Sequence, residues 1–149
     1  MKRDVNAPVK VPMGPFCGVD VAIALTHDAA KRAMKAHGVD AYDAFTSDCF
    51  AENDWYGLTM HNKRKYSVIV CLNVERFIRE QRLSRYVIGL IAHEVSHATK
   101  RIAEILGERD GFSHEANANL HEQLAYYCVA AIEEARIPVK WLTKITASK

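Results

Sequence analysis

The chain has 149 residues, and 49% of them are hydrophobic, which is enough to bury the core of one domain of ordinary size. Its 20 Lys and Arg residues and its 18 Asp and Glu residues leave a net charge of +2 at pH 7. Because like charges form no long run, this composition argues against nucleic acid as a partner. No apolar stretch approaches the roughly 20 residues that span a bilayer, so a membrane-spanning helix is excluded.

The N-terminus and the cysteines favour a cytoplasmic protein. Basic residues near the start are not followed by the apolar segment of a secretory signal. The four cysteines lie far apart and form no C-x-x-C pair, so we expect reduced thiols rather than a zinc ribbon or a thioredoxin-type motif. We therefore expect a cytoplasmic location, which for a protein of viral origin would be the cytoplasm of the host cell.

The pattern of the first third predicts one strand and one helix behind an extended arm. Residues 1–15 contain several prolines and are expected to form that arm. Apolar residues alternate over 16–25, which predicts a half-buried strand. Thr26 then caps a helix over 27–37. At the other end of the chain, residues 139–149 form a tail whose pattern assigns no structure.

The remaining elements predict an α+β domain. Two β-rich runs, Trp55–His61 and Tyr66–Leu72, flank a polar turn and predict an antiparallel hairpin. Helices are expected over 74–82, 85–107 and 114–136. Since strands occupy the first half and helices the second, the fold class is α+β, and one domain accounts for the whole chain.

The motif that carries chemistry is His93-Glu94-Val95-Ser96-His97, an H-E-x-x-H sequence inside the longest predicted helix. Two histidines four residues apart on a helix project from one face, so both imidazoles can reach one metal ion. Zinc lowers the pKa of a bound water, and Glu94 is expected to take the proton of that water as general base. This assembly is typical of peptide or amide hydrolysis.

A helical wheel over residues 86–106 separates the motif from the predicted core. His93 and His97 fall opposite the apolar arc, so they face a cleft or solvent. Gly89, one turn before His93, suggests close approach of a backbone, a ligand or another helix, or is merely a weak helix position. The apolar arc consists of Val87, Ile91, Val95, Ala98, Ile102, Ile105 and Leu106.

Catalytic zinc usually has three protein ligands and one open position, so a third ligand must lie elsewhere. Lys100 and Ala103 stand where a metzincin would have its Gly and third His, which excludes that subclass. The next helix offers carboxylates on its polar face. We expect Glu122 to be the third ligand, with Glu115 as its main competitor.

Other residues of the last predicted helix have alternative roles. His114 and His121 are less favoured candidates for the third ligand. Tyr126 lies one turn after Glu122 and could donate its phenol to a developing oxyanion, or could be a packing tyrosine. Zincins bind peptides by strand addition at a sheet edge, and Tyr66–Leu72 is either that edge or a core strand with both faces buried.

The two motifs together resemble the gluzincin arrangement, in which H-E-x-x-H is followed by a Glu ligand on the next helix. More narrowly, the chain resembles small phage-encoded proteins assigned as metallopeptidases, which carry an E-x-x-A-Y element like Glu122–Tyr126. The resemblance covers residues 16–135 and implies a zincin-like domain with one zinc per chain. It implies the ligands His93, His97 and Glu122, with Glu94 as base. A charged stretch over 73–82, which could be a short helix or a lid, departs from that pattern.

Two alternatives remain. SprT-like proteases, which act at DNA, also have Leu-Asn before the H-E-x-x-H sequence, as in Leu72-Asn73, and His114 would then be the third ligand. Alternatively, the protein is a non-catalytic zinc-binding phage interaction module, in which a fourth protein ligand closes the coordination. The favoured hypothesis is a zinc-dependent hydrolase acting on a peptide or protein substrate, with no membrane or nucleic-acid partner. The sequence does not predict the oligomeric state.

Overall fold

A computed structural model describes residues 3–13, 18–40, 44–80, 84–108 and 110–137 of the protein. Within these residues the chain forms four strands, five α-helices and one 3-10 turn, so the α+β class is confirmed. None of the described helices combines the length and the apolar character needed to cross a membrane. The predicted tail over 139–149 lies outside the described residues.

The first strands contain a correction to the predicted arm. Strand β1 (Val9–Val11) lies within residues 1–15 and pairs antiparallel with strand β2 (Asp20–Ala24). The predicted extended arm is therefore partly an edge strand of the sheet. Val9 and Val11 are buried while Lys10 is exposed, as the alternation of side chains along a strand requires.

Helix α1 (His27–His37) has the predicted bounds, and its caps show why. The Thr26 hydroxyl accepts a hydrogen bond from the backbone N–H of Ala29 at 3.1 Å, which satisfies a donor in the first turn. Gly38 ends the helix in the left-handed conformation, with φ of 60°. A second, shorter helix, α2 (Ala44–Ala51), follows.

The predicted hairpin is confirmed. Strand β3 (Gly57–Asn62) pairs antiparallel with strand β4 (Ser67–Leu72), and a 3-10 turn over Lys63–Lys65 joins them. The Asn62 side chain accepts hydrogen bonds from the backbone N–H groups of Arg64 and Lys65, which stabilises the turn.

Three helices complete the described fold. The charged stretch over 73–82 contains the short helix α3 (Val74–Arg79). Helix α4 (Ser84–Ile105) contains residues 93–97, and helix α5 (His114–Glu134) follows it. The predicted helices are therefore present. The starts of α3 and α5 agree with the prediction, and the other ends differ by one to three residues where the structure describes them. Leu106 follows the last residue of α4 and is 41% exposed, so its assignment to the apolar arc was wrong.

The sheet has the order β1-β2-β4-β3, in which β2 and β4 are parallel and the other pairs are antiparallel. Helices α4 and α5 pack on one face, where their buried residues join those of the strands in one cluster. Helix α1 packs on the opposite face through three buried alanines. Both faces of the central strands are thus covered.

This topology corrects the prediction for β2 and decides between the two alternatives for β4. Strand β2 is buried on both faces from Val21 to Ala24 rather than half-buried, because it lies between β1 and β4. Strand β4 is not an edge strand, and all six of its residues are buried. Strand β3 occupies the edge instead. Its alternation directs Gly57, Thr59 and His61 to one face, while Leu58 and Met60 pack with the cluster around α1.

Candidate functional site

His93 and His97 lie together on the exposed side of α4. Their Nε2 atoms are 3.1 Å apart, within hydrogen-bond distance of each other. The ring centroids are 4.7 Å apart, and the ring planes meet at 78°. The predicted separation of the pair from the core is confirmed, because Val87, Ile91 and Val95 on the other side of the helix are buried.

The donor set of this pair fits a single metal ion. Two nitrogen ligands at about 2.0–2.1 Å from a tetrahedral zinc are separated by about 3.4 Å. The observed Nε2 to Nε2 distance of 3.1 Å is close to that separation. A metal ion between the two rings would be held by both Nε2 atoms.

Glu94 lies beside the histidine pair but is turned toward the sheet. Only 4% of the residue is exposed, which is unusual for a glutamate. Its Oε2 accepts a hydrogen bond from the hydroxyl of Thr59 at 2.7 Å. Thr59 lies on the edge strand β3, so one hydrogen bond connects the motif helix to the edge of the sheet. The role of Glu94 as general base stays a prediction.

Burial dominates the electrostatics of Glu94. Desolvation of the carboxylate raises the pKa of Glu94 above its ordinary value. The hydrogen bond from Thr59 and the charges of His93 and His97 act in the opposite direction and lower the pKa in part. A carboxylate with a raised pKa is a better proton acceptor near neutral pH than an exposed one.

Gly57 allows β3 to approach α4 closely. A Cβ atom built on Gly57 would lie 2.5 Å from Cδ1 of Leu90 and 2.6 Å from Oε1 of Glu94. Such distances are not tolerated between unbonded heavy atoms, so any larger residue would displace these side chains. Gly57 thus keeps the Glu94 carboxylate against the strand.

The structure does not bring the predicted third ligands to the histidine pair. Glu122 and Glu115 are both exposed on α5. Across the described ranges, no group of three or more His, Cys, Asp or Glu residues is arranged to hold a metal ion. The assignment of Glu122 as the third ligand therefore stays a prediction, as does its alternative, Glu115.

The other predicted residues of α5 have different surroundings. His114 begins α5 and is exposed. His121 instead contacts α4, with its Nδ1 3.3 Å from the Thr99 hydroxyl and its Nε2 3.4 Å from the Ser96 hydroxyl. Tyr126 is 66% exposed, and its ring meets the ring of Tyr127 at 5.3 Å. Its role as an oxyanion donor stays a prediction.

A cavity of about 320 Å³ opens next to the histidine pair. It lies between α4, α3 and the segment that leads into β3, and His93 forms part of its wall. The other residues that line it are Tyr56, Phe77, Tyr86, Gly89 and Leu90. The stretch over 73–82 thus contributes a wall of this cavity through Phe77.

Sequence reasoning missed Thr59, Gly57 and the aromatic wall of the cavity. Thr59 is 35 residues from Glu94 in the chain, and no local pattern links the two. Gly57 could have been noticed as a glycine inside a predicted strand, which is typical of a close backbone approach. The expected close approach at Gly89 is absent, because nothing beyond the adjoining residues and helix backbone lies within 4 Å of a Cβ built there.

No protein-family model, curated protein or solved structure matches this chain. The zincin resemblance accordingly rests on the sequence motifs.

Proposed function

We propose that the protein is a zinc-dependent hydrolase of the gluzincin type that cleaves a peptide or amide bond. The observation that carries the proposal is the convergence of the His93 and His97 Nε2 atoms beside the buried carboxylate of Glu94. Two metal-binding imidazoles next to a carboxylate with a raised pKa form the core of a hydrolytic site.

In this proposal His93 and His97 hold one zinc ion per chain. When bound, zinc supplies Lewis acidity, which lowers the pKa of water and polarises a carbonyl group. The exposed position of both imidazoles leaves the side away from α4 open to a substrate. Glu122 remains the proposed third ligand and Glu115 its competitor, and either carboxylate must approach the pair for that role.

Glu94 is the proposed general base. Its carboxylate accepts the proton of the attacking water and can later pass that proton to the leaving amine. The hydrogen bond from Thr59 holds the carboxylate in place through Oε2. Because burial raises the pKa of Glu94, the carboxylate binds a proton more readily at neutral pH.

Strand β3 is the proposed binding edge for an extended peptide, in place of β4. It ends the sheet next to α4, and Gly57 and Thr59 contact Glu94 from this strand. A peptide that adds to an open edge forms main-chain hydrogen bonds along it. Strand addition at β3 would therefore place a substrate peptide along the helix that carries the histidine pair. The expected partner is a peptide or protein substrate.

The experiment that tests this function compares the wild type with Glu94→Gln. Both proteins are loaded with zinc, matched for zinc content and incubated with a complex peptide mixture whose products are identified by mass spectrometry. We expect new cleavage products only with the wild type, because the variant keeps both imidazoles and lacks the proton acceptor.

Glu133→Gln is a suitable control, since it makes the same chemical change at an exposed position on α5. It should cleave like the wild type. Equal cleavage by Glu94→Gln and the wild type would overturn the assignment of the base. Absence of cleavage by zinc-loaded wild type in a broad peptide mixture would argue against a general peptidase.

A further inference from the structure

We infer that the cavity beside His93 is a specificity pocket for an apolar side chain of the substrate, either aromatic or branched aliphatic. This inference rests on the proposed function, since it assigns the side chain to a hydrolysed peptide. Gly89 is the residue that sets the size of the pocket.

The chemistry of the wall favours an apolar occupant. Tyr56, Phe77 and Tyr86 supply three aromatic rings, and Leu90 adds an aliphatic side chain. Among the lining residues that the structure describes, none is Asp, Glu, Lys or Arg. A charged side chain placed here would lose hydration without gaining a partner of opposite charge in the wall, whereas an apolar one would leave water favourably.

The size of the cavity points to one side chain rather than a large ligand. Its volume of about 320 Å³ lies at the lower end of the range of roughly 300–1,000 Å³ typical of ligand pockets. His93 lines the same cavity. An occupant would therefore lie directly beside one of the proposed zinc ligands, where a side chain next to the cleaved bond belongs.

The wall at Tyr56 is held in place by neighbouring groups. The guanidinium carbon of Arg76 lies 3.9 Å from the centroid of the Tyr56 ring, and the Tyr56 hydroxyl donates to Glu80 at 2.5 Å. Arg76 also forms ion pairs with Asp54 at 2.9 Å and Glu80 at 3.0 Å. These contacts fix the ring, so the pocket exists before a ligand binds, which reduces the ordering entropy that binding requires.

Gly89 provides a second observation for the pocket, independent of the chemistry of its wall. Glycine is a poor helix former, yet it lies in the interior of α4. Packing does not explain it, because a Cβ atom at Gly89 would have no neighbour within 4 Å beyond the adjoining residues and helix backbone. Gly89 lines the cavity. A larger residue at this position would therefore project into the pocket.

The test titrates three probes into isotope-labelled protein and follows the amide signals of Gly89 and Leu90 by NMR. The probes are N-acetyl-phenylalanine amide, N-acetyl-leucine amide and N-acetyl-glutamic acid amide. We expect the two apolar amides to bind at least about tenfold more tightly than the acidic one. Equal affinities, or no shift of these signals with any probe, would overturn the inference.

Variants localise the binding. Gly89→Val should weaken binding of the apolar amides at least about tenfold, and Gly89→Ala should weaken it less. Ala92→Val places the same side chain on an exposed position of α4 outside the pocket wall and should bind like the wild type. Unchanged binding in the folded Gly89→Ala and Gly89→Val proteins would place the probes elsewhere and contradict the inference.

The titration is run on zinc-free and on zinc-loaded protein, which separates the two proposals. Selective binding of the apolar amides to zinc-free protein supports the pocket, whether or not the protein binds zinc. If the protein binds no zinc, only the proposed hydrolase is rejected. Zinc-dependent cleavage without preference for apolar residues supports the hydrolase and rejects the pocket.

Discussion

Thr59 donates its hydroxyl proton to Oε2 of Glu94 at 2.7 Å and so joins the edge strand β3 to helix α4. The same hydroxyl lies 3.0 Å from the backbone carbonyl oxygen of Glu94, but its one proton serves a single acceptor at a time. Both residues are buried. Thr59 is therefore the group that compensates the lost hydration of the Glu94 carboxylate.

Replacement of this hydroxyl should destabilise the protein. Thr59→Val keeps the shape of the side chain but leaves the buried carboxylate without its donor, at a cost of about 1–3 kcal/mol. The pKa of Glu94 should rise further, because the hydrogen bond from Thr59 lowers it. Urea unfolding measures the free energy, and Thr59→Ser, which keeps the hydroxyl, is the control. A loss as large in Thr59→Ser as in Thr59→Val would assign the effect to packing.

The raised pKa of Glu94 predicts how stability depends on pH in the zinc-free protein. A carboxyl group whose pKa is higher in the folded state than in the unfolded state favours folding when protonated. That contribution is complete below its ordinary pKa of 4.5 and is lost as the pH rises through the folded pKa.

The wild type loses the stability contributed by the protonated Glu94 as the pH rises. Glu94→Gln has no titrating group at this position, so its stability should not change with pH through this residue. The variant should become more stable relative to the wild type as the pH rises from about 4 toward 8. Denaturant unfolding at several pH values measures the difference between the two proteins. A difference that is constant with pH, or that changes in the opposite direction, would show that the pKa of Glu94 is not raised.

Two glycines near the site should respond oppositely to the same substitution. Gly57→Ala places a Cβ 2.5 Å from Leu90 and 2.6 Å from Glu94, so we expect a loss of about 1–3 kcal/mol. Gly89→Ala meets open space within a helix, so we expect a gain of about 0.5–1 kcal/mol from helix propensity. Thermal and urea unfolding measure both. Equal effects of the two substitutions would contradict the described packing between β3 and α4.

Periodicity made helices α4 and α5 predictable, because each buries one stripe of apolar residues, whereas helix α2 was not predicted. The stripe of α4 from Val87 to Ile105 is buried as the wheel indicates. Helix α1 was predictable at both ends, since Thr26 and Gly38 are local capping signals.

The strand order was not predictable in the same way. The identity of the edge depends on the parallel pairing of β2 with β4, whose residues are distant in the chain, as in Asp20 with Ser67. Local alternation cannot reveal such a pairing, so β4 was considered as an edge although it lies inside the sheet. The contact of Thr59 with Glu94 depends on the same topology and was missed for the same reason.

The zinc content of two variants should identify the third ligand. We expect Glu122→Ala to lower zinc occupancy more than Glu115→Ala, because only one of these glutamates should contact the metal. Elemental analysis after identical purification gives the occupancies. The reverse order would assign the role to Glu115, and full occupancy in both variants would remove both glutamates from the site.

The central claim is that His93 and His97 form a zinc site, and zinc per chain tests it without a substrate. We expect about one zinc in the wild type by native mass spectrometry or elemental analysis, and its loss in His97→Ala. His37→Ala, on helix α1 at the opposite face of the sheet, removes a histidine away from the pair and should keep its zinc. A wild type that binds no zinc after reconstitution, or a His97→Ala variant that binds as much as the wild type, would contradict the account.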